Sequence, residues 1–262
     1  MTNYATQAEL LRSLHVPGTP LIVTNVWDAI TAKIVAGAPG VKALATASHA
    51  VSFAHGVHDG EGLTVEQAIA AAGVIVSSVG IPVSIDFEKG YSSDAAGVQR
   101  NVESLIVVGA AGINIEDSVG QAKAPLFDLD TAVSRVAAAR AAGDATGVPI
   151  VINARVDTLA GGGHWDDAIT RANAYLAAGA DCIFVLGLGD EAKVARALAE
   201  IHGKVSVISN PTSVPLRKLA ELGVSRVSFG PGVLGLTLAH LRATATQLTA
   251  LGDYPGELGF SY

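Results

Sequence analysis

The chain has 262 residues, 50% hydrophobic and 16% charged, a balance that supports a large buried core and excludes intrinsic disorder. Seventeen basic against 24 acidic residues give a formal charge of −7, which argues against a nucleic-acid backbone as partner. No apolar run reaches the roughly eighteen residues of a membrane span without Gly, Pro or charge, Met1 to His15 carry no secretory pattern, and Cys182 alone permits no intrachain disulfide, so a soluble, cytoplasmic protein is expected.

In chain order, short apolar runs alternate with Ala-rich helical patterns. Strands are expected at Pro20–Asn25, Val41–Thr46, Pro82–Phe87, Gly112–Glu116, Pro149–Asn153, Cys182–Leu186, Lys204–Ser209 and Val224–Phe229. Helices are expected at Trp27–Ala36, Thr64–Ser78, Ala95–Val108, Asp130–Ala142, Trp165–Ala178, Glu191–Ile201, Val214–Leu222 and Val233–Leu251. The strand runs are continuously apolar, as in parallel strands covered on both faces. Gly80, Gly109, Gly147, Gly179 and Gly223 are placed to end helices in left-handed turns. Eight such units match one α/β domain over residues 1–262, a (β/α)8 TIM barrel. A doubly wound open sheet is the alternative, but Asn25-Val26-Trp27-Asp28 is not the Gly-rich turn it favours after its first strand.

A barrel gathers the C-terminal ends of its strands at one mouth. The polar residues there are Asn25, Trp27 and Asp28; then Ser48, His49, Asp59 and Glu61; then Asp86, Glu88 and Lys89; then Glu116 and Asp117; then Asn153, Arg155 and Asp157; and Ser209 and Asn210. Asp86 and Glu88, two apart on an extended segment, share a face, and Glu116 is one strand over. Convergent carboxylates repel unless a cation intervenes, so Mg²⁺ or Mn²⁺ is expected on Asp86, Glu88 and Glu116, with solvated loop acids as the alternative. Arg155 needs an anionic partner: a substrate carboxylate or phosphonate, or a salt bridge to Asp157 or Glu116. His49, His55 and His58 lack a fourth zinc ligand, and substrate contact by one of them fits better. Cys182 reads as a buried, inert thiol, and Gly230-Pro231-Gly232 as a tight turn rather than a phosphate cradle.

Five ordered motifs, Thr24-Asn25-Val26-Trp27-Asp28-Ala29, Asp59-Gly60-Glu61-Gly62, Ile85-Asp86-Phe87-Glu88-Lys89-Gly90-Tyr91, Gly112-Ile113-Asn114-Ile115-Glu116-Asp117-Ser118 and Asn153-Ala154-Arg155-Val156-Asp157, resemble the isocitrate lyase/phosphoenolpyruvate mutase superfamily. The resemblance implies a barrel that holds Mg²⁺ and an α-oxocarboxylate. It implies that Asp86 holds the metal, with Glu88 and Glu116 acting directly or through waters, that Asp59 orients metal-bound water, and that Arg155 clamps the substrate's anionic end. Backbone N–H groups near Ser48 and His49 would bind the carboxylate. The substrate-binding set is then Ser48, His49, Asp86, Asn153, Arg155 and Asn210, and the catalytic set Asp59, Glu116 and Arg155.

The departures narrow the chemistry. Isocitrate and methylisocitrate lyases carry a Lys-Lys-Cys-Gly-His loop after the fourth strand, whereas Ser118–Phe127 holds neither Cys nor His. Phosphoenolpyruvate mutases place Lys-x-Asn there, whereas this loop has Lys123 and no Asn. The sixth strand ends Val185-Leu186-Gly187 where relatives often show a Glu. The metal–carboxylate half is intact and the acid/base of the named subfamilies is absent. This implies a Mg²⁺-dependent carbon–carbon lyase on a small 2-oxo acid, oxaloacetate decarboxylase-like, working through a metal-stabilised enolate. The alternatives are P–C chemistry on phosphonopyruvate, as mutase or hydrolase, and a non-catalytic oxo-acid-binding barrel. The resemblance further implies a homo-oligomer, dimer or tetramer. In it Val233–Leu251 packs on a neighbouring subunit, as a helix swapped between subunits would, and Leu258, Phe260 and Tyr262 cover the seam, against a helix docked on its own barrel.

Overall fold

A computed structural model describes residues 4–120 and 125–256. The elements are α1 (Tyr4–Ser13), β1 (Leu21–Val23), β2 (Asn25–Val26), α2 (Ala29–Ala36), β3 (Leu44–Thr46), α3 (Ser48–Ala54), α4 (Val65–Ser77), β4 (Val83–Asp86), α5 (Ala95–Val107) and β5 (Gly112–Glu116). They continue with α6 (Leu129–Thr146), β6 (Val151–Val156), α7 (Trp165–Ala177), β7 (Cys182–Val185), α8 (Glu191–Glu200), β8 (Val205–Ile208), α9 (Leu216–Leu222), β9 (Arg226–Ser228) and α10 (Gly232–Thr249). Every pairing between these strands is parallel, in the order β1-β9-β8-β7-β6-β5-β4-β3-β2. The two ends of that order are one run of chain interrupted at Thr24: Leu21–Val23 pairs with β9 and Asn25–Val26 with β3, so the sheet closes into a TIM-like α/β barrel. No described helix is long and apolar enough to cross a membrane.

Two helices went unread in the sequence. α3 is seven residues long, and its N-cap Ala47 offers no side-chain cap to announce it. α1 buries only Ala8 and Leu11, so it has no broad apolar stripe to read. Elsewhere caps moved boundaries. α2 begins at Ala29 because Asp28 caps it, accepting from Thr31 N–H at 2.8 Å, so Asp28 is a helix cap rather than a site residue. Of the five glycines expected in left-handed turns, Gly109, Gly147, Gly179 and Gly223 have φ of 96°, 68°, 106° and 103°. Gly80 does not, since α4 closes at Ser78 in a right-handed conformation, φ −82°.

The runs read as uniformly apolar alternate in the barrel. Ile113, Ile115, Ile152, Ala154, Val156, Ile183 and Val185 pack outward beneath the helices. Inward lie Ser84, Asn114, Asn153, Cys182, Ser206 and Arg226, all buried. Below that polar layer Leu11 of α1 packs with Leu21, Val23, Ala45 and Val151, and Arg12 binds Asp181 at 2.8 Å and the Pro149 carbonyl at 3.0 Å. Gly112 is required there, because a Cβ would lie 2.7 Å from Leu11 Cδ2 and 2.9 Å from the Val151 carbonyl.

His15, just beyond α1, is 2% exposed and donates from Nδ1 to the Leu11 carbonyl at 2.8 Å. Burial, then the Arg226 charge, lower its pKa from 6.5 to about 4. The unfolded chain therefore binds this proton more tightly than the folded one. The stability from burying the neutral ring is present in full above pH 6.5 and is lost as pH falls from there to about 4. His15→Gln is expected to remove about 2 kcal/mol of the pH dependence between pH 7 and 5. Urea unfolding at the two pH values measures it, and equal slopes in protein and variant would refute it.

Candidate functional site at the barrel mouth

A cavity of about 280 Å³ opens at the C-terminal ends of the strands. Its polar wall is Asn25, Ser48, His49, Asp59, Asp86, Asn114, Arg155 and Ser228, and Phe184, Leu186 and Ile208 supply an apolar wall. The strand-exit reading thus places Ser48, His49, Asp59, Asp86 and Arg155 together.

Asp86 ends β4. Its Oδ2 accepts the Ser48 N–H at 2.8 Å, and its own N–H donates to Thr46 Oγ1 at 2.8 Å, so two neighbours fix it at the rim. The Ser48 N–H therefore holds Asp86 and is not open to a substrate carboxylate. Burial raises the Asp86 pKa; the Ser48 N–H and the Arg155 charge pull it back, and Asp59 pushes it further up.

Arg155 lies inside β6, because that strand runs to Val156 rather than stopping at Asn153. Its guanidinium grips Asp157 twice, Nε to Oδ1 at 2.6 Å and Nη2 to Oδ2 at 2.9 Å, and Nη1 meets Glu116 Oε2 at 2.6 Å. Both salt bridges weighed as alternatives from the sequence are present, and Arg155 still faces the cavity. Glu116 also accepts from Ser118 Oγ at 3.1 Å, and burial pushes its pKa up to about 8 against the pull of Arg155.

Glu88 is turned elsewhere. It has a left-handed backbone, φ 47°, as do Glu61 (62°) and Tyr91 (54°), and non-glycine residues hold that conformation only where neighbours over-determine it. Here Glu88 Oε2 accepts the Glu61 N–H, Tyr91 OH donates to Glu88 Oε1 at 2.8 Å, Tyr91 N–H donates to Glu61 Oε1 at 2.6 Å, and Lys89 Nζ meets Glu61 Oε2 at 3.0 Å. Burial pushes the Glu88 pKa up to about 7. Two loops are knotted together through it.

The expectation that Asp86, Glu88 and Glu116 jointly ligate a metal is corrected: among the described residues no three His, Cys, Asp or Glu converge as a ligand set. Glu88 is committed to the knot and Glu116 to Arg155. Asp86 and Asp59 both line the cavity, and so does the hydroxyl-bearing Ser48. This all-oxygen donor set suits Mg²⁺, which keeps several waters and needs only one or two carboxylates.

Other expectations resolve differently. Asp117, next to Glu116, points away from the mouth by strand alternation; 2% exposed, it accepts from Tyr175 OH at 2.7 Å, Asp157 N–H at 2.9 Å and Arg171 Nη1 at 3.4 Å. Asn153, two residues before Arg155, is buried outside the cavity lining and donates to Asn114 Oδ1 at 2.9 Å. Asn210 sits in an exposed turn, where its Oδ1 accepts from Thr212 N–H and Oγ1 at 2.9 and 2.8 Å. His49 faces Asp59, Nδ1 to Oδ2 at 3.7 Å, while His55 turns back to the Val51 carbonyl. Asn25 binds the Thr46 carbonyl and the Phe229 N–H, both at 2.8 Å, and so ties the barrel's seam. Asn114, within the Gly112–Ser118 motif, also lines the cavity, and a polar residue amid the apolar run of β5 is its signal in the sequence. Lys123 lies outside the described residues, as do Leu258, Phe260 and Tyr262; Val119 N–H donates to the Pro125 carbonyl at 2.8 Å.

Residues 11–249 match the family described as phosphoenolpyruvate phosphomutase. An uncharacterised protein of Mycobacterium tuberculosis is 34% identical over 238 residues, 89% of this chain and 87% of that one. The 2,3-dimethylmalate lyase of Eubacterium barkeri is 32% identical over 221 residues, 82% of this chain and 75% of that one. The crystal structure of a candidate phosphonomutase from Burkholderia cenocepacia J2315 superposes with a TM-score of 0.87 at 36% identity, covering 94% of this chain and 99% of that one.

Proposed function

Because the chain belongs to the phosphoenolpyruvate mutase/isocitrate lyase superfamily, we propose that it is a carbon–carbon lyase that decarboxylates a small 2-oxo dicarboxylic acid such as oxaloacetate. The observation that carries this reading is the cavity wall. Among the described residues it offers charges and hydrogen-bond donors but neither Cys nor Lys. Cys182 is fully buried, and burial pushes its thiol up to about 12. Loss of CO₂ next to an oxo group needs no protein nucleophile, only stabilisation of the negative charge that develops on the oxo oxygen. Mg²⁺ held by Asp86, with Asp59 beside it, would supply positive charge there.

The chain's own residues do the rest. Ser48 N–H and Thr46 Oγ1 keep Asp86 aimed into the cavity. Arg155 spends three of its N–H groups on Asp157 and Glu116 and keeps the others for a substrate carboxylate. Because Asp157 and Glu116 hold its plane, little freedom is lost when substrate arrives. Phe184, Leu186 and Ile208 exclude water from one side, which strengthens each of these charge interactions.

Pyruvate release from oxaloacetate, above the rate given by Mg²⁺ alone and abolished by chelation, is the expected result. Release no faster than that of the free ion rejects the reading. The match to the phosphomutase family favours a second one, P–C bond chemistry on phosphonopyruvate. It is read by ³¹P NMR as free phosphate or a new phosphate ester.

The proposal extends to assembly. Among its described residues α10 buries only Leu234, while Leu236 and Leu241 are 74% and 61% exposed. An 18-residue helix so weakly docked on its own barrel fits a contact with a second copy. Light scattering is expected to give a multiple of the monomer mass, and Leu236→Glu with Leu241→Glu to return it to one chain. A monomer at micromolar concentration would overturn this.

A further inference from the structure

Arg226, on β9, is 1% exposed in the centre of the barrel, and no carboxylate of a described residue pairs with it. A guanidinium in such a place is costly unless something recovers its lost hydration. Its contacts are neutral and long: Nη1 to Ser84 Oγ at 3.3 Å and Nη2 to Asn114 Oδ1 at 3.4 Å, with Nε unpartnered. Arg226 thus makes no ion pair among the described residues, and its contacts orient neutral groups instead.

Asn114 stands between Arg226 and the cavity, which it lines. A guanidinium only donates, so the amide atom that Asn114 turns toward it has to be the oxygen. Asn153 Nδ2 donates to the same oxygen at 2.9 Å. With its carbonyl held from below by two donors, the Asn114 amide presents its NH₂ group on the cavity side. Without Arg226 the amide could turn over and offer a carbonyl, which would repel a carboxylate or oxo oxygen.

We propose that Arg226 is a positioning residue that fixes the Asn114 amide so that its Nδ2–H groups bind an anionic or oxo oxygen of the substrate. The proposal rests on the 2-oxo acid reading above and names a specificity-determining contact within it. Arg226 itself does not touch the substrate; it acts through Asn114.

Binding of oxalate, a planar stand-in for the oxo-acid enolate, is measured by calorimetry with Mg²⁺ present. Asn114→Ala is expected to weaken binding at least tenfold, as loss of a hydrogen bond to a charged group does. Arg226→Met is expected to weaken it by a similar factor, and the double variant no more than either alone, because both remove one contact. Arg226→Lys, which keeps a donor at that depth, is expected to restore part of the affinity. With oxaloacetate the single variants are expected to raise KM and leave kcat within a fewfold. A merely structural role would lower thermal stability without that split.

Losses that multiply in the double variant, or wild-type affinity in Arg226→Met or in Asn114→Ala, overturn the proposal and leave the decarboxylase reading standing. A chain that neither binds oxalate nor turns over any 2-oxo acid overturns both. If Arg226→Met does not fold, Arg226→Lys alone and with Asn114→Ala gives the same comparison.

Discussion

Asp86→Asn is expected to lower oxaloacetate decarboxylation by about a thousandfold or more, the scale on which electrostatic stabilisation of an oxyanion is lost. Folding is not expected to suffer with it. Asparagine keeps an oxygen for the Ser48 N–H and a backbone N–H for Thr46 Oγ1, so the rim retains both hydrogen bonds. It also removes a buried carboxylate that burial and Asp59 already push toward protonation. The melting temperature should hold or rise, and the stabilisation that Mg²⁺ gives the wild-type chain should vanish. Pyruvate release and thermal melting with and without Mg²⁺ read both halves. A variant that keeps a tenth of the activity would remove Asp86 from the chemistry.

Asp117→Ala is expected to do the reverse, costing stability first. The carboxylate accepts from Tyr175 OH, the Asp157 N–H and Arg171, and all three lose a buried acceptor together. Breaking a buried pair costs about 3–5 kcal/mol, and the lower end applies because Arg171 keeps Asp167 at 3.1 Å and the Phe127 carbonyl at 3.0 Å. Urea midpoints measure it, and a loss under about 1 kcal/mol would show that the network relaxes without Asp117. Activity should fall as well, since the freed Asp157 no longer holds Arg155 in place. Tyr175→Phe removes one donor only and should cost about 1 kcal/mol.

Most of the barrel was legible because its strands carry a local signature. β5 spans the residues expected of it, Gly112–Glu116, between a glycine turn and a charged exit. Barrel geometry then delivers strand exits to one mouth, and that is why Ser48, His49, Asp59, Asp86 and Arg155 could be grouped from sequence alone. What failed were matters of direction. Glu116 and Asp117 are adjacent, so alternation sends one inward and the other to α7, a distinction the period of two contains but a list of acids does not. Asn153 precedes Arg155 by two and shares its inward face, but its amide is taken up by Asn114 and it does not line the cavity. Glu88 offered no such clue: on an ideal strand it shares a face with Asp86, and its left-handed backbone, set by contacts with Glu61 and Tyr91, breaks that rule. The interior polar layer was missed for a related reason. Asn114, Asn153, Ser206 and Arg226 sit singly among Ile and Val, and each run still counts as apolar on average.

Leu11 and the α1 helix that carries it close the lower end of the barrel, with Arg12 pinned to Asp181 and the Pro149 carbonyl. The molecule is in that sense a cup and not a tube. Under the proposed lyase reading, product would leave through the mouth by which substrate enters, and the two would compete for the same seat.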